Sequence, residues 1–148
     1  MRTIKFRAWD RKGLEFIEID KLSWTDVPDW PIKVNNRGDH MNGKQYILMQ
    51  FTGLKDKHGR EIYEDDILSS LYDNSEHAIH EIGTVAFSEY WGAYVLESLN
   101  KTVLNLVSAE EPEGSISASC MEIIGNIHTH ERPTLPEKSA KIKDTTAT

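Results

Sequence analysis

The chain opens on "TIKFRAWD", where Ile4, Phe6 and Ala8 alternate with Lys5, Arg7 and Trp9. A period of two sends the two sets to opposite faces and predicts a half-buried strand. "RKG" follows with turn chemistry, Gly13 being able to take a positive φ. "LEFIEID" then returns with Leu14, Phe16 and Ile17 as its apolar content, which predicts an N-terminal hairpin with a short loop. "YILMQF", Tyr46 to Phe51, reads as a short buried strand. "GTVAFSEYWGAYVLESL" reads as two strands around "SEYWG", with Val85 and Phe87 before the turn and Tyr94 and Leu96 after it. "TVLNLVSAE" continues as strand or short helix, and "EEPEGSIS" as a loop. "CMEIIGNIHTH" is a last strand, in which Gly125 marks a bulge or a close backbone approach.

Residues 21–45 break both periodicities with prolines, asparagines and glycines, and Trp24 and Trp30 suggest a loop that packs back on the body. "SSLYDNSEHAIHEIG" has no clean period. The stretch "TGLKDKHGREIYEDDIL" is the most informative. Asp56 and Gly59 bracket "DKHG", a tight charged turn whose glycine takes a left-handed conformation. Arg60 to Tyr63 resume an extended segment, "YEDD" bends, and Ile67 and Leu68 re-enter the core.

Composition narrows the function classes. At 148 residues the chain has room for one domain with a real core, or two very small lobes. No apolar run approaches the length of a transmembrane helix, and no signal-peptide core follows the basic start. Cytoplasm is therefore the expected compartment, without membrane association. The net charge of −7 argues against coating a nucleic acid backbone. The charge is uneven, however: "MRTIKFRAWDRK" holds five basic residues and one acid. The single cysteine, Cys120, begins an apolar run and reads as a buried small hydrophobe.

Each candidate chemistry has a plainer structural reading beside it. Glu61, Glu64, Asp65 and Asp66 could hold a hard cation in a metal-dependent enzyme. Yet they are consecutive along one bend, where alternation separates Asp65 from Glu64 and Asp66. The plainer reading is a turn with Asp66 accepting local backbone N–H bonds. "HAIH" and "HTH" pair His77 with His80 and His128 with His130, but neither completes a zinc signature. His40 and His58 stand alone. No phosphate loop, dinucleotide fingerprint or nucleophile elbow occurs. Lys5, Arg7, Trp9 and Arg11 could bind single-stranded nucleic acid by charge and stacking. They are equally what an edge strand uses against aggregation. Tyr90 and Trp91 in "SEYWGAY" would mark a protein contact if exposed, since aromatics concentrate at interface centres.

"KFRAWD", "LMQFTGLKDKHGREIYEDDIL" and "EIIGNI" occur in this order, and on them the chain resembles the YopX-like proteins of phages and prophages over roughly Met1 to Glu131. The residues carrying the resemblance are Phe6, Trp9, Asp10, Thr52, Gly53, Asp56, Gly59, Tyr63, Glu64, Asp66, Ile67, Gly125 and Asn126. Asp65 stands where the family pattern has glycine; if that position needs a positive φ, aspartate is among the next most tolerant residues. The resemblance implies a small β-rich protein with no catalytic residue to carry over. Entry from "DDIL" into "GTVAF" is also how many SH3-like barrels begin, a fold-level analogy.

The expected fold is mainly β (a β-rich α+β), a small SH3-like barrel with an N-terminal hairpin. It would form one domain over 1–131, with a hairpin region 1–50 and a barrel 51–131 as its parts, and a disordered tail over 132–148. The expected function is that of a phage accessory protein, non-enzymatic, without catalytic residues, metal or cofactor. It would bind a protein partner, a host factor or itself as a homo-oligomer, through Glu61, Glu64, Asp65, Tyr90 and Trp91. A sharper variant has the acids occlude a host nucleic-acid-binding or defence protein. The alternatives are nucleic-acid binding through Lys5, Arg7, Trp9 and Arg11, and a metal-dependent enzyme built on residues 61–66.

Overall fold

The computed structural model describes residues 2–24, 26, 32–35, 46–72, 79–108 and 113–129. The expected tail, Trp30, His40, His77 and His130 lie outside them. The described residues are almost entirely strands and turns, curled into barrel-like halves, as the mainly β expectation has it. Their one helical turn is a 3₁₀ turn at Ala118–Cys120.

The predicted N-terminal hairpin is present as β1 (Phe6–Asp10) and β2 (Glu15–Ile17). The left-handed residue of its loop is Leu14, at φ 54°, where Gly13 was expected. At Gly13 a Cβ would come within 2.8 Å of Asp10 Oδ2, so a larger residue there would displace that side chain. That carboxylate is held over the loop by accepting the Lys12 N–H at 2.9 Å. The stretch 21–45, read as irregular, contains a short antiparallel ladder, β3 (Leu22–Trp24) with β4 (Ile32–Val34). Trp24 is 75% exposed and does not pack on the body.

β5 (Tyr46–Lys55) is the long strand of the first sheet, ordered β2-β1-β5-β6. Its first half pairs with β1 and its far end with β6 (Glu61–Tyr63) across the Asp56–Gly59 turn. β1 is thus an interior strand, not an edge. One face of β1 puts Ala8 against Val34, Ile19, Leu22 and Leu48. The other face holds Arg7 and Trp9, so both faces are covered. Ile4 precedes the strand and is exposed.

The second sheet runs β11-β10-β9-β8-β7-β12. It comprises β7 (Asp66–Tyr72), β8 (Ile79–Ser88), β9 (Ala93–Ser98), β10 (Val103–Val107), β11 (Ser115–Ser117) and β12 (Glu122–Asn126). All pairs are antiparallel except β10 with β11. The "SEYWG" hairpin forms as predicted, with Val85 opposite Leu96 and Phe87 opposite Tyr94. "TVLNLV" resolves to strand. Part of the expected loop, Ser115–Ser117, is also strand, because backbone pairing to β10 is available to it. The inner face gathers Leu68, Val85, Leu96, Leu106, Ile116 and Met121, with Ile62 of the first sheet closing the core.

Glycine is required at one close approach between neighbouring strands of the second sheet. A Cβ on Gly83 of β8 would lie 2.7 Å from both the Glu97 carbonyl and Leu96 Cγ of β9. Gly125 sits at a register shift in the β12–β7 pairing, the predicted bulge. Cys120 is exposed, contrary to expectation. The 3₁₀ turn buries Ala118 and the following Met121 and turns Cys120 outward.

Candidate functional site

Two features compete for function: the corner at residues 61–66, and the tip of the β8–β9 hairpin.

The corner carries the chain from one sheet to the other. Glu64 N–H donates to the Gln50 carbonyl of the first sheet, and Asp65 N–H to the Val85 carbonyl of the second. The Asp65 carbonyl accepts Ile127 N–H. Asp65 takes φ 68°, so this position, glycine in the family pattern, does adopt the left-handed conformation. Its carboxylate meets His128 Nε2 at 2.7 Å, and the His128 ring stacks near Trp9.

Asp66, at the start of β7, is the centre of the seam. Its side chain is 2% exposed. Oδ1 accepts from Arg7 Nη2 of β1 and from Asn126 Nδ2 of β12 at 3.3 Å. Oδ2 accepts from Tyr63 N–H at 2.8 Å. The Arg7 guanidinium lies between the Phe16 and Tyr63 rings, 4.5 Å from each centroid. The three sequence motifs therefore meet on one carboxylate. A buried charge pair of this kind is tolerable only when further hydrogen bonds support it; the Asn126 amide and the Tyr63 N–H complete the carboxylate, while Arg7 Nε has no partner among the described residues.

The other acids each face a different partner. Glu61 accepts from Lys5 Nζ at 2.7 Å and from the Tyr63 hydroxyl at 3.0 Å. The Lys5 bond holds its carboxyl below the usual range. Burial of Tyr63 pushes its phenol up, with the Glu61 bond adding to it. Glu64 accepts Gln50 N–H at 2.7 Å. Burial raises its carboxyl above the usual range, the Gln50 bond opposes this, and the Asp65 charge adds to it. Among the described residues no three His, Cys, Asp or Glu side chains converge as a metal site. His128 lies in a turn after β12 instead of on a strand, and His58 meets Glu122 at 3.2 Å.

The "DKHG" turn is a second staple. Asp56 accepts N–H bonds from His58, Arg60 and Ile123, plus the Arg60 guanidinium. Burial alone would raise its carboxyl, but these donors outweigh it and hold it below the ordinary value. Gly59 takes φ 77°, as the turn demands. Thr52 bonds the Ile62 carbonyl at 2.8 Å beside Gly53, at φ 83°. Phe6 is half-buried and Ile67 buried.

The proposed nucleic-acid residues are largely turned to internal work. Arg7 is paired to Asp66, Trp9 is 6% exposed against Phe16 and His128, and Lys5 is paired to Glu61. Arg11 is exposed in the hairpin loop.

The β8–β9 tip is different. Ser88 shapes the turn, its Oγ accepting Trp91 N–H at 3.2 Å and its carbonyl accepting Gly92 N–H at 2.8 Å. Gly92 at φ 61° completes it. Tyr90 is 86% exposed and Trp91 60%, their rings edge-to-face at 4.9 Å. Behind them Phe87 and Tyr94 form a second edge-to-face pair at 5.3 Å, with Phe87 also exposed. Burial and the nearby Glu64 charge push the Tyr94 phenol up, with Arg2 opposing. Four aromatic rings on one hairpin, two of them largely in water, are far from what the core needs.

No helix of the described residues is long and apolar enough to cross a membrane. No curated protein matches the sequence. Among solved structures, the crystal structure of protein EF1440 from Enterococcus faecalis is similar, with a TM-score of 0.51 and 25% identity. That similarity covers 86% of this chain and 95% of the other. The family model described as YopX protein matches residues 5–136, a span that holds all three motifs meeting at Asp66, and the chain belongs to the YopX family.

Proposed function

We propose that this protein is a phage accessory protein of non-enzymatic type, one domain over residues 1–131, that acts by binding another protein through the β8–β9 tip. The observation that carries this reading is the exposed Tyr90–Trp91 pair, backed by Phe87 and Tyr94. Tryptophan and tyrosine in water are costly to leave uncovered and supply most of the energy when an interface covers them. The turn is fixed by Ser88 and Gly92, so little conformational freedom is lost on binding. The acids of the corner contribute less, since Glu61, Glu64 and Asp65 are already paired within the chain. The partner is a bacterial host factor or a second copy, and the site of action the host cytoplasm.

The test is affinity capture from bacterial lysate, with and without nuclease, using the native protein and a Tyr90→Ser/Trp91→Ser variant. A stoichiometric protein retained by the native chain and lost by the variant supports the reading. Equal capture by both, or recovery of nucleic acid alone, overturns it.

A further inference from the structure

The terminal strand of the first sheet carries a surface of different character. β2 is the terminal strand of its sheet, paired to β1 on one side, and among the described residues no strand covers its other edge. A strand paired on one side turns half its N–H and C=O groups outward, ready to accept another strand. Beside β2 lies a cleft of about 630 Å³ that reaches Asp10 of β1, Tyr46 of β5 and Asn35. Its apolar wall is Phe16, 43% exposed, with the half-buried Tyr46. Its rim is acidic: Asp10, Glu15, Glu18 and Asp20 line it, against one base, Lys21. Glu15 stands on β2 itself, Glu18 and Asp20 follow it and Asp10 ends β1, so the charge gathers around a short open edge, Glu15–Ile17, beyond which Glu18 C=O and the Asp20 and Lys21 N–H groups are already bonded to Asn35.

We infer that this cleft docks an extended segment of a partner protein carrying lysine or arginine, which adds as a strand to the β2 edge. Main-chain bonds would supply affinity and the acid rim the side-chain preference. A second copy of the chain fits poorly, because its own β2 edge is acidic and the chain carries a net charge of −7. The surface is separate from the Tyr90–Trp91 tip, so this inference stands or falls without it.

The experiment is a fluorescence-polarisation titration of the full chain with a labelled six-residue peptide alternating lysine and valine. Comparators are its glutamate–valine counterpart, a form N-methylated at alternate amides, and spermine as competitor. Saturable binding of the lysine peptide is expected, weakened at least tenfold by Glu15→Lys/Glu18→Lys and lost on N-methylation. Both substituted residues are exposed, and an unchanged melting temperature verifies that the variant folds. The Tyr90→Ser/Trp91→Ser variant should bind the peptide as the native chain does. No binding, binding indifferent to the charge reversal, or loss in the tip variant would overturn the inference. So would an N-methylated peptide that binds equally well, or displacement by spermine at equal charge, either of which would reduce the effect to unspecific attraction.

Discussion

Asp66→Ala removes the acceptor on which three distant segments converge. The carboxylate is 2% exposed and takes bonds from Arg7, Asn126 and Tyr63 N–H. Without it the Arg7 guanidinium stays wedged between Phe16 and Tyr63, and its Nε is already buried without a partner. Breaking a buried pair from one side costs about 3–5 kcal/mol, because the remaining charge is desolvated and uncompensated. Against a total stability of about 5–15 kcal/mol this is a large share. At about 2–4 °C per kcal/mol for a chain of this size, the melting temperature should fall by roughly 6–20 °C. Urea denaturation of Asp66→Ala, Arg7→Met and the double variant gives the magnitude and the coupling. The double variant should cost less than the two singles together by about 1–3 kcal/mol. A single-variant loss below about 1 kcal/mol, or strict additivity, would refute the seam as described.

Other outcomes follow from particular contacts. Gly83→Ala places a methyl group against the Glu97 backbone and should destabilise by about 1–3 kcal/mol in the same assay. Asp65→Gly should be more stable than Asp65→Ala by about 1 kcal/mol, since alanine strains at φ 68° and both variants lose the His128 contact equally; equal stabilities would contradict the left-handed corner. Asp56 has a lowered carboxyl pKa in the folded state, so its stabilisation is present above the ordinary carboxylate value of about 3.9 and lost as pH falls through the folded value. The stability gap between native protein and Asp56→Asn should therefore be full at neutral pH and close in acid. Glu64 has the opposite sign: its raised carboxyl pKa penalises the ionised form, so Glu64→Gln should melt higher at pH 7 and lose that advantage as pH drops through the raised folded value, with none left below the ordinary glutamate value. A melting-temperature profile across pH 3–8 reads both.

Much of the framework is legible in local pattern. Period-two alternation finds β1, and the "SEYWG" punctuation finds the β8–β9 hairpin, whose register the structure supplies. Gly59 announces its left-handed backbone through turn chemistry, whereas at Asp65 only the glycine of the family pattern raises that conformation as a condition. What sequence leaves open is set by contacts between distant residues. Arg7 reads as surface charge until Asp66, 59 residues away, is seen to bury it. Trp9 looks available for stacking until β5 and His128 cover the strand. Ser115–Ser117 has no strand-like pattern and is extended only because β10 offers a ladder. Cys120 begins an apolar run, yet one short 3₁₀ turn decides which way it points. The exposed tip is the reverse case: its aromatics are plain in sequence, but their exposure is a property of the fold.

The central claim, that the β8–β9 tip meets a protein, is tested most directly by photo-crosslinking. A photoreactive phenylalanine analogue is placed at position 91, and at the exposed position 101 as control, and each chain is irradiated in bacterial lysate. A discrete covalent adduct with one protein, formed from position 91 and absent from position 101, is the predicted result. No adduct from position 91, or the same adducts from both positions, would contradict the account.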